Sequence, residues 1–223
     1  MKRRRLSPRE RVVASLAGLT LVSIVLFCAG AIANHSLKFA YLIANLFLAW
    51  VPLLLTILLI KSLRKYVWSS YWPLLITLLW LIMLPNSFYM ISDYVHVHDV
   101  GRHNLLYDIV MFTSFIFTAV LLGFSSLYMT HAELRKRMKL RSSFILVGII
   151  IFLCSFGIYL GRDLRWNSWD VFFNPAGILF DVSDHIIHPL NNGELLTTTL
   201  SFFVLIGSLY IVGWQLGEAT RRS

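Results

Sequence analysis

The sequence contains few charged residues and few cysteines. Only 14% of its 223 residues are Asp, Glu, Lys or Arg, whereas 57% are hydrophobic and the mean hydropathy is +0.71. A soluble domain of this size cannot bury so much apolar surface in one core, so a soluble fold is excluded. The two cysteines, Cys28 and Cys154, lie within apolar runs without CxxC spacing. This placement favours packing residues over a disulfide or a metal site.

Long apolar runs are what the sequence has in abundance. A helix needs about 20 apolar residues to cross the hydrocarbon of a bilayer, and six runs qualify. They cover approximately residues 12–33, 39–60, 68–84, 105–129, 144–160 and 196–214. The runs are continuously apolar, which favours helices over alternating strands. The sequence therefore predicts an all-α fold: one integral membrane domain over residues 1–223, a polytopic bundle of about six transmembrane helices in the lipid bilayer.

The basic residues indicate how the bundle is oriented. They cluster at the N-terminus, after the second run, between the fourth and fifth runs, and at the C-terminus. These segments share one side, which the positive-inside rule makes cytoplasmic. We therefore expect a multi-pass protein of the cell membrane with both termini cytoplasmic, and the net charge of +9 does not indicate nucleic-acid binding. Ala31-Ile32-Ala33 resembles a signal-peptide cleavage site, but the length of the first run favours an uncleaved anchor.

The opposite side carries a first candidate site after Pro85, where the third run is expected to stop or kink. If the following segment is helical, Asp93 and His96 share one face, with Tyr89 one turn earlier. A carboxylate beside an imidazole can fix its tautomer and raise its basicity. Asp93 and His96 are therefore catalytic candidates. The alternative is that both are solvated loop residues.

A second candidate site lies in the last loop of that side. Asn174-Pro175 has the form of a helix start, and Pro189 would end a short interfacial amphipathic helix. One arc of this helix carries a metal-binding candidate set for a possible divalent metal, with a wet helix face as the alternative. The set is Asp181, Asp184, His185 and His188.

Two arginines precede this helix. Arg162 and Arg165 are spaced to grip a phosphate or another anion. They are equally suited to neutralise nearby carboxylates.

Two sequence strings carry a resemblance to a known family. They are Leu84-Pro85-Asn86-x-x-Tyr89-x-x-x-Asp93-x-x-His96 and Gly161-Arg162-x-x-Arg165-Trp166-Asn167-Ser168-Trp169-Asp170. Both resemble a domain-of-unknown-function family of multi-pass bacterial membrane proteins. The resemblance implies a bacterial integral membrane protein of unassigned activity, and it assigns no site residue.

Three functions remain open from the sequence. The favoured one is an accessory or scaffold protein whose outward-facing Asp/His/Arg cluster contacts a membrane-protein partner. The first alternative is a membrane-embedded metal-dependent or acid/base enzyme that acts at the outer leaflet on a lipid-linked or envelope substrate. The second is a small transporter, which the scarcity of charge within the runs disfavours.

Overall fold

A computed structural model describes residues 7–99, 105–166, 170–187 and 193–222. Within these residues the chain is helical and contains no strand, so the predicted all-α fold is confirmed. A 3₁₀ segment, Met90–Asp99, lies between the fourth and fifth α-helices. The α-helices are α1 Pro8–Asn34, α2 Tyr41–Ser62, α3 Tyr71–Met83, α4 Pro85–Tyr89, α5 Leu105–Arg135, α6 Leu140–Arg162, α7 Asp170–Phe173, α8 Pro175–Ile187 and α9 Gly193–Arg222.

In the described part of the chain, six helical stretches are long and apolar enough to cross a membrane. They are Pro8–Asn34, Tyr41–Ser62, Tyr71–Val97, Leu105–Arg135, Leu140–Arg162 and Gly193–Thr220. Their outward faces are apolar: Val25, Phe117 and Val204 are 57%, 58% and 64% exposed. Continuous apolar surface of this kind requires lipid as its solvent. The protein is a multi-pass membrane protein in contact with lipid.

Successive spans run in opposite directions, so the bundle has two chemically distinct ends. We call the end that carries Arg9, Lys61 and Arg137 the basic end. The end that carries Asp93 and Asp163 is called the acidic end. Both termini of the described chain lie at the basic end.

The third apolar stretch differs from its sequence prediction, which ended it at residue 84. Pro85 has no N–H and breaks the helix, but the chain continues within the bundle as α4 and the 3₁₀ segment. Side chains satisfy the polar groups near the break: Asn86 Nδ2 donates to the Met83 carbonyl at 3.0 Å, and Ser87 Oγ donates to the Ala49 carbonyl at 3.1 Å. Ser87 and Met90 are fully buried. The segment after Pro85, which was predicted to lie beyond the third run, is therefore partly core.

Two glycines make room for this broken helix. A Cβ atom at Gly157 of α6 would lie 2.7 Å from Pro85 Cγ, and one at Gly123 of α5 would lie 2.8 Å from Ser87 Cβ. Only a residue without a side chain allows such close approach. α4 is consequently held between α2, α5 and α6.

Buried hydrogen bonds also connect the spans. Thr56 of α2 and Trp80 of α3 both bond to the Ser126 hydroxyl of α5, at 2.8 and 2.7 Å. His131 of α5 bonds to the Tyr210 hydroxyl of α9 and, at 3.0 Å, to the Ser143 hydroxyl of α6. In lipid, helices gain little from the hydrophobic effect when they associate. Buried polar contacts of this kind therefore help to stabilise the helix pairs.

The close approach at Gly157 yields a stability prediction. Gly157→Ala places a methyl group against Pro85, and overpacking of this kind costs about 1–3 kcal/mol. We expect the midpoint of thermal unfolding in detergent to fall by a few degrees. Gly148→Ala is the matched control, since a Cβ at Gly148 of the same helix meets nothing within 4 Å. Equal unfolding midpoints for the two variants would contradict the proposed packing.

Candidate functional site

A cavity of about 440 Å³ lies at the acidic end of the bundle. α2, α4, the 3₁₀ segment, the last turns of α6 and the residues after α6 enclose it. We call it the Asp93 cavity. The polar and aromatic side chains that line it are Tyr41, Asn45, Asn86, Tyr89, Asp93, His96 and Trp166.

Local backbone geometry brings the sequence-predicted pair together. In a 3₁₀ helix, side chains three residues apart eclipse one another, so Asp93 and His96 enter the cavity from the same face. Tyr89 lines it from the preceding turn. The His96 ring packs edge-on against the Tyr41 ring, with centroids 5.7 Å apart. Asp93 is buried, so it is not a solvated loop residue as the alternative interpretation required. His96 is exposed at the mouth of the cavity.

Asp93 is the buried polar group of this cavity. It is only 3% exposed, and Asn45 Nδ2 donates a hydrogen bond to its Oδ2 at 3.2 Å. His96 and Arg162 are its electrostatic neighbours. A carboxylate at this depth is unfavourable unless such partners are present. This role of Asn45 was not predicted from the sequence, although an amide within an apolar span is itself a signal.

Arg162 is engaged with the bundle. Its Nη1 donates to the Ser92 carbonyl at 3.0 Å, and its charge also acts on Asp163. Burial raises the pKa of the Asp163 carboxyl, against the opposing effects of a hydrogen bond to Thr198 and of Arg162. Arg162 therefore already balances carboxylates on two sides.

Arg165 is placed differently from Arg162. α6 ends at Arg162, and Arg165 is exposed with a left-handed φ of 57°. The two arginines therefore do not lie one turn apart on a continuous helix. Anion binding by the pair stays a prediction.

α8 begins as predicted, because the Asn174 side chain accepts a hydrogen bond from the Gly177 amide at 3.1 Å. Asp181 of α8 is bonded to Trp166, which lines the cavity: Trp166 Nε1 donates to Asp181 Oδ2 at 2.9 Å. The Trp166 ring also packs over Gly177. Asp181 thus bonds to a side chain that lines the cavity and is not only a solvent-facing residue of α8.

The metal-binding candidates are only partly described. Among the residues that the structure describes, no group of three His, Cys, Asp or Glu side chains is arranged to hold a metal ion. The side chains of Asp184 and His185, and all of His188, lie outside the described residues. The metal site on Asp181, Asp184, His185 and His188 therefore stays a prediction.

A family model described as "Protein of unknown function (DUF1361)" matches residues 44–211. The chain belongs to this family. The DUF1361 region includes Asn45, Asp93, His96 and Trp166, so the cavity is built almost wholly from it, while Tyr41 lies just outside. No curated protein matches the chain, and no solved structure matches it.

The bond between Trp166 and Asp181 yields a second prediction. Trp166→Phe keeps an aromatic ring but removes the indole N–H, and a hydrogen bond to a charged group is worth about 1.5–3 kcal/mol. We expect amide hydrogens of Pro175–Ile187 to exchange about tenfold faster or more, as measured by mass spectrometry. Trp72→Phe, at an exposed position of the basic end, is the control and should leave this exchange unchanged. Unaltered exchange in Trp166→Phe would show that the bond does not hold α8.

Proposed function

We propose that the protein is an acid/base enzyme of the acidic-end leaflet that binds the polar part of a lipid-linked or envelope substrate in the Asp93 cavity. One observation carries the proposal: a buried carboxylate and an imidazole lie on one face of a cavity large enough for a small polar group. The favoured function therefore changes from the accessory or scaffold role, which the sequence alone favoured, to an enzymatic role. A scaffold role does not explain why a buried carboxylate lines a cavity.

The two groups suit different parts of a proton transfer. The Asn45 amide donates a hydrogen bond to Asp93, and burial keeps bulk water from the carboxylate. His96 is exposed, so it can exchange a proton with solvent. A polar substrate group that entered the cavity would meet Asp93, His96 and Tyr89, all of which line it.

The position of the cavity supports a lipid-linked substrate. The cavity lies at the end of the bundle, where α2 begins and α6 ends, which is the depth of lipid headgroups. Tyr41 and Trp166 line it and are amphipathic side chains typical of this depth. A divalent metal held by α8 is a separate prediction and takes no part in this proposal.

An accessory role is the second candidate, and it rests on a different observation. Phe173 of α7 and Phe180 of α8 are 85% and 75% exposed, in the segment that joins α6 to α9. Exposed aromatic side chains are typical anchors of protein interfaces. In this role, they would contact a membrane-protein partner.

The enzymatic proposal is tested with purified protein in vesicles made from a total membrane lipid extract. Mass spectrometry of the lipids over time should show species consumed and formed with the wild-type protein. General acid–base catalysis contributes about 10²–10⁴-fold, so Asp93→Asn should lower this rate at least a hundredfold.

The control is Asp170→Asn. It makes the same chemical change at the acidic end, but Asp170 does not line the cavity, and the rate should be unchanged. Equal lipid turnover by wild type and Asp93→Asn would refute the assignment of Asp93. Unchanged lipids with the wild-type protein would contradict the enzymatic proposal and favour the accessory role.

A further inference from the structure

A second cavity lies at the basic end, away from Asp93. Its volume is about 390 Å³, and it opens between α1 and α2, with Met129 of α5 also lining it. The walls are aliphatic, with Val13 and Ala17 on α1 and Ile57 on α2. α1 packs mainly against α5, which leaves this cleft between α1 and α2 unfilled by protein.

The rim of this cleft is cationic. Arg9, Lys61 and Arg64 line it, and Glu10 is the acidic residue among them. The Glu10 carboxylate is occupied in the capping box of α1, where it accepts a hydrogen bond from the Ser7 amide at 2.7 Å. The cleft therefore carries a net positive charge.

These cations are incompletely neutralised. Arg9 lies 3.6 Å from Glu133, but Lys136 and Arg137 are closer to that carboxylate, at 2.6 and 3.1 Å. Lys61 and Arg64 make no ion pair within the described part of the chain. At least two positive charges are thus available to an anion at the mouth of an apolar cleft.

From this combination we infer that the cleft binds one anionic phospholipid of the basic-end leaflet. The acyl chain lies against Val13, Ala17 and Ile57, and the phosphate contacts Lys61 and Arg64. Basic pockets between transmembrane helices favour anionic headgroups, at about 1 kcal/mol for each Lys or Arg near the surface. A water-soluble anion would leave the aliphatic walls unfilled. The inference does not depend on the function proposed for the Asp93 cavity.

The test is native mass spectrometry of the full chain in detergent. The protein is titrated with phosphatidylglycerol and with phosphatidylcholine of identical acyl chains. We expect tighter binding of phosphatidylglycerol, and the double variant Lys61→Gln/Arg64→Gln should weaken it about thirtyfold. Ala17→Phe keeps every charge but fills the cleft, and it should also weaken binding.

The matched control is Lys139→Gln/Arg141→Gln, which removes two exposed charges from the same end of the bundle but outside the cleft. It should leave phosphatidylglycerol binding unchanged. An equal loss in both double variants, or equal affinity for the two lipids, would overturn the inference. Displacement of phosphatidylglycerol by millimolar inorganic phosphate, together with unaltered binding in Ala17→Phe, would also overturn it, because the apolar walls would then contribute nothing.

Discussion

The break of the third helix at Pro85 is the constraint on which the acidic end depends. In the 3₁₀ segment after the break, Asp93 and His96 are three residues apart, so both line the cavity from one face. Proline removes one backbone hydrogen bond, and the chain continues through the short helix α4 and the 3₁₀ segment Met90–Asp99. The polar residues of that segment remain between α2, α5 and α6. Gly123 and Gly157 allow this path because they leave space for Ser87 and Pro85.

Burial of Asp93 in turn couples three spans. The carboxylate belongs to the third span, its hydrogen-bond donor Asn45 to α2, and its cationic neighbour Arg162 to the end of α6. Removing any one partner leaves a buried charge less compensated, which is costly at low dielectric. The site and the local packing are therefore parts of one arrangement in which Arg162 is a structural partner, while anion binding by Arg162 and Arg165 stays a prediction.

The sequence was sufficient for the bundle because a continuous apolar run of about 20 residues has few structural alternatives. It also located the start of α8, since Asn174-Pro175 has local cap chemistry. It did not locate the end of the third span, because a proline pattern shows where a helix breaks but not where the chain goes next. Asn45 and Trp166 were missed for a related reason: their roles come from Asp93 and Asp181, which are 48 and 15 residues away in sequence.

The two ends of the bundle use charge in physically different ways. Asp93 is almost fully buried, so the proposed acid/base role confines it to a group that enters the cavity. A buried polar site strongly rejects ligands that leave its hydrogen bonds unmade. Lys61 and Arg64 are exposed, so water and salt screen them and they distinguish anionic from neutral lipid by only modest factors. The proposed function therefore places chemical selectivity at the acidic end. The cleft at the basic end should accept any phospholipid that combines an acyl chain with negative charge.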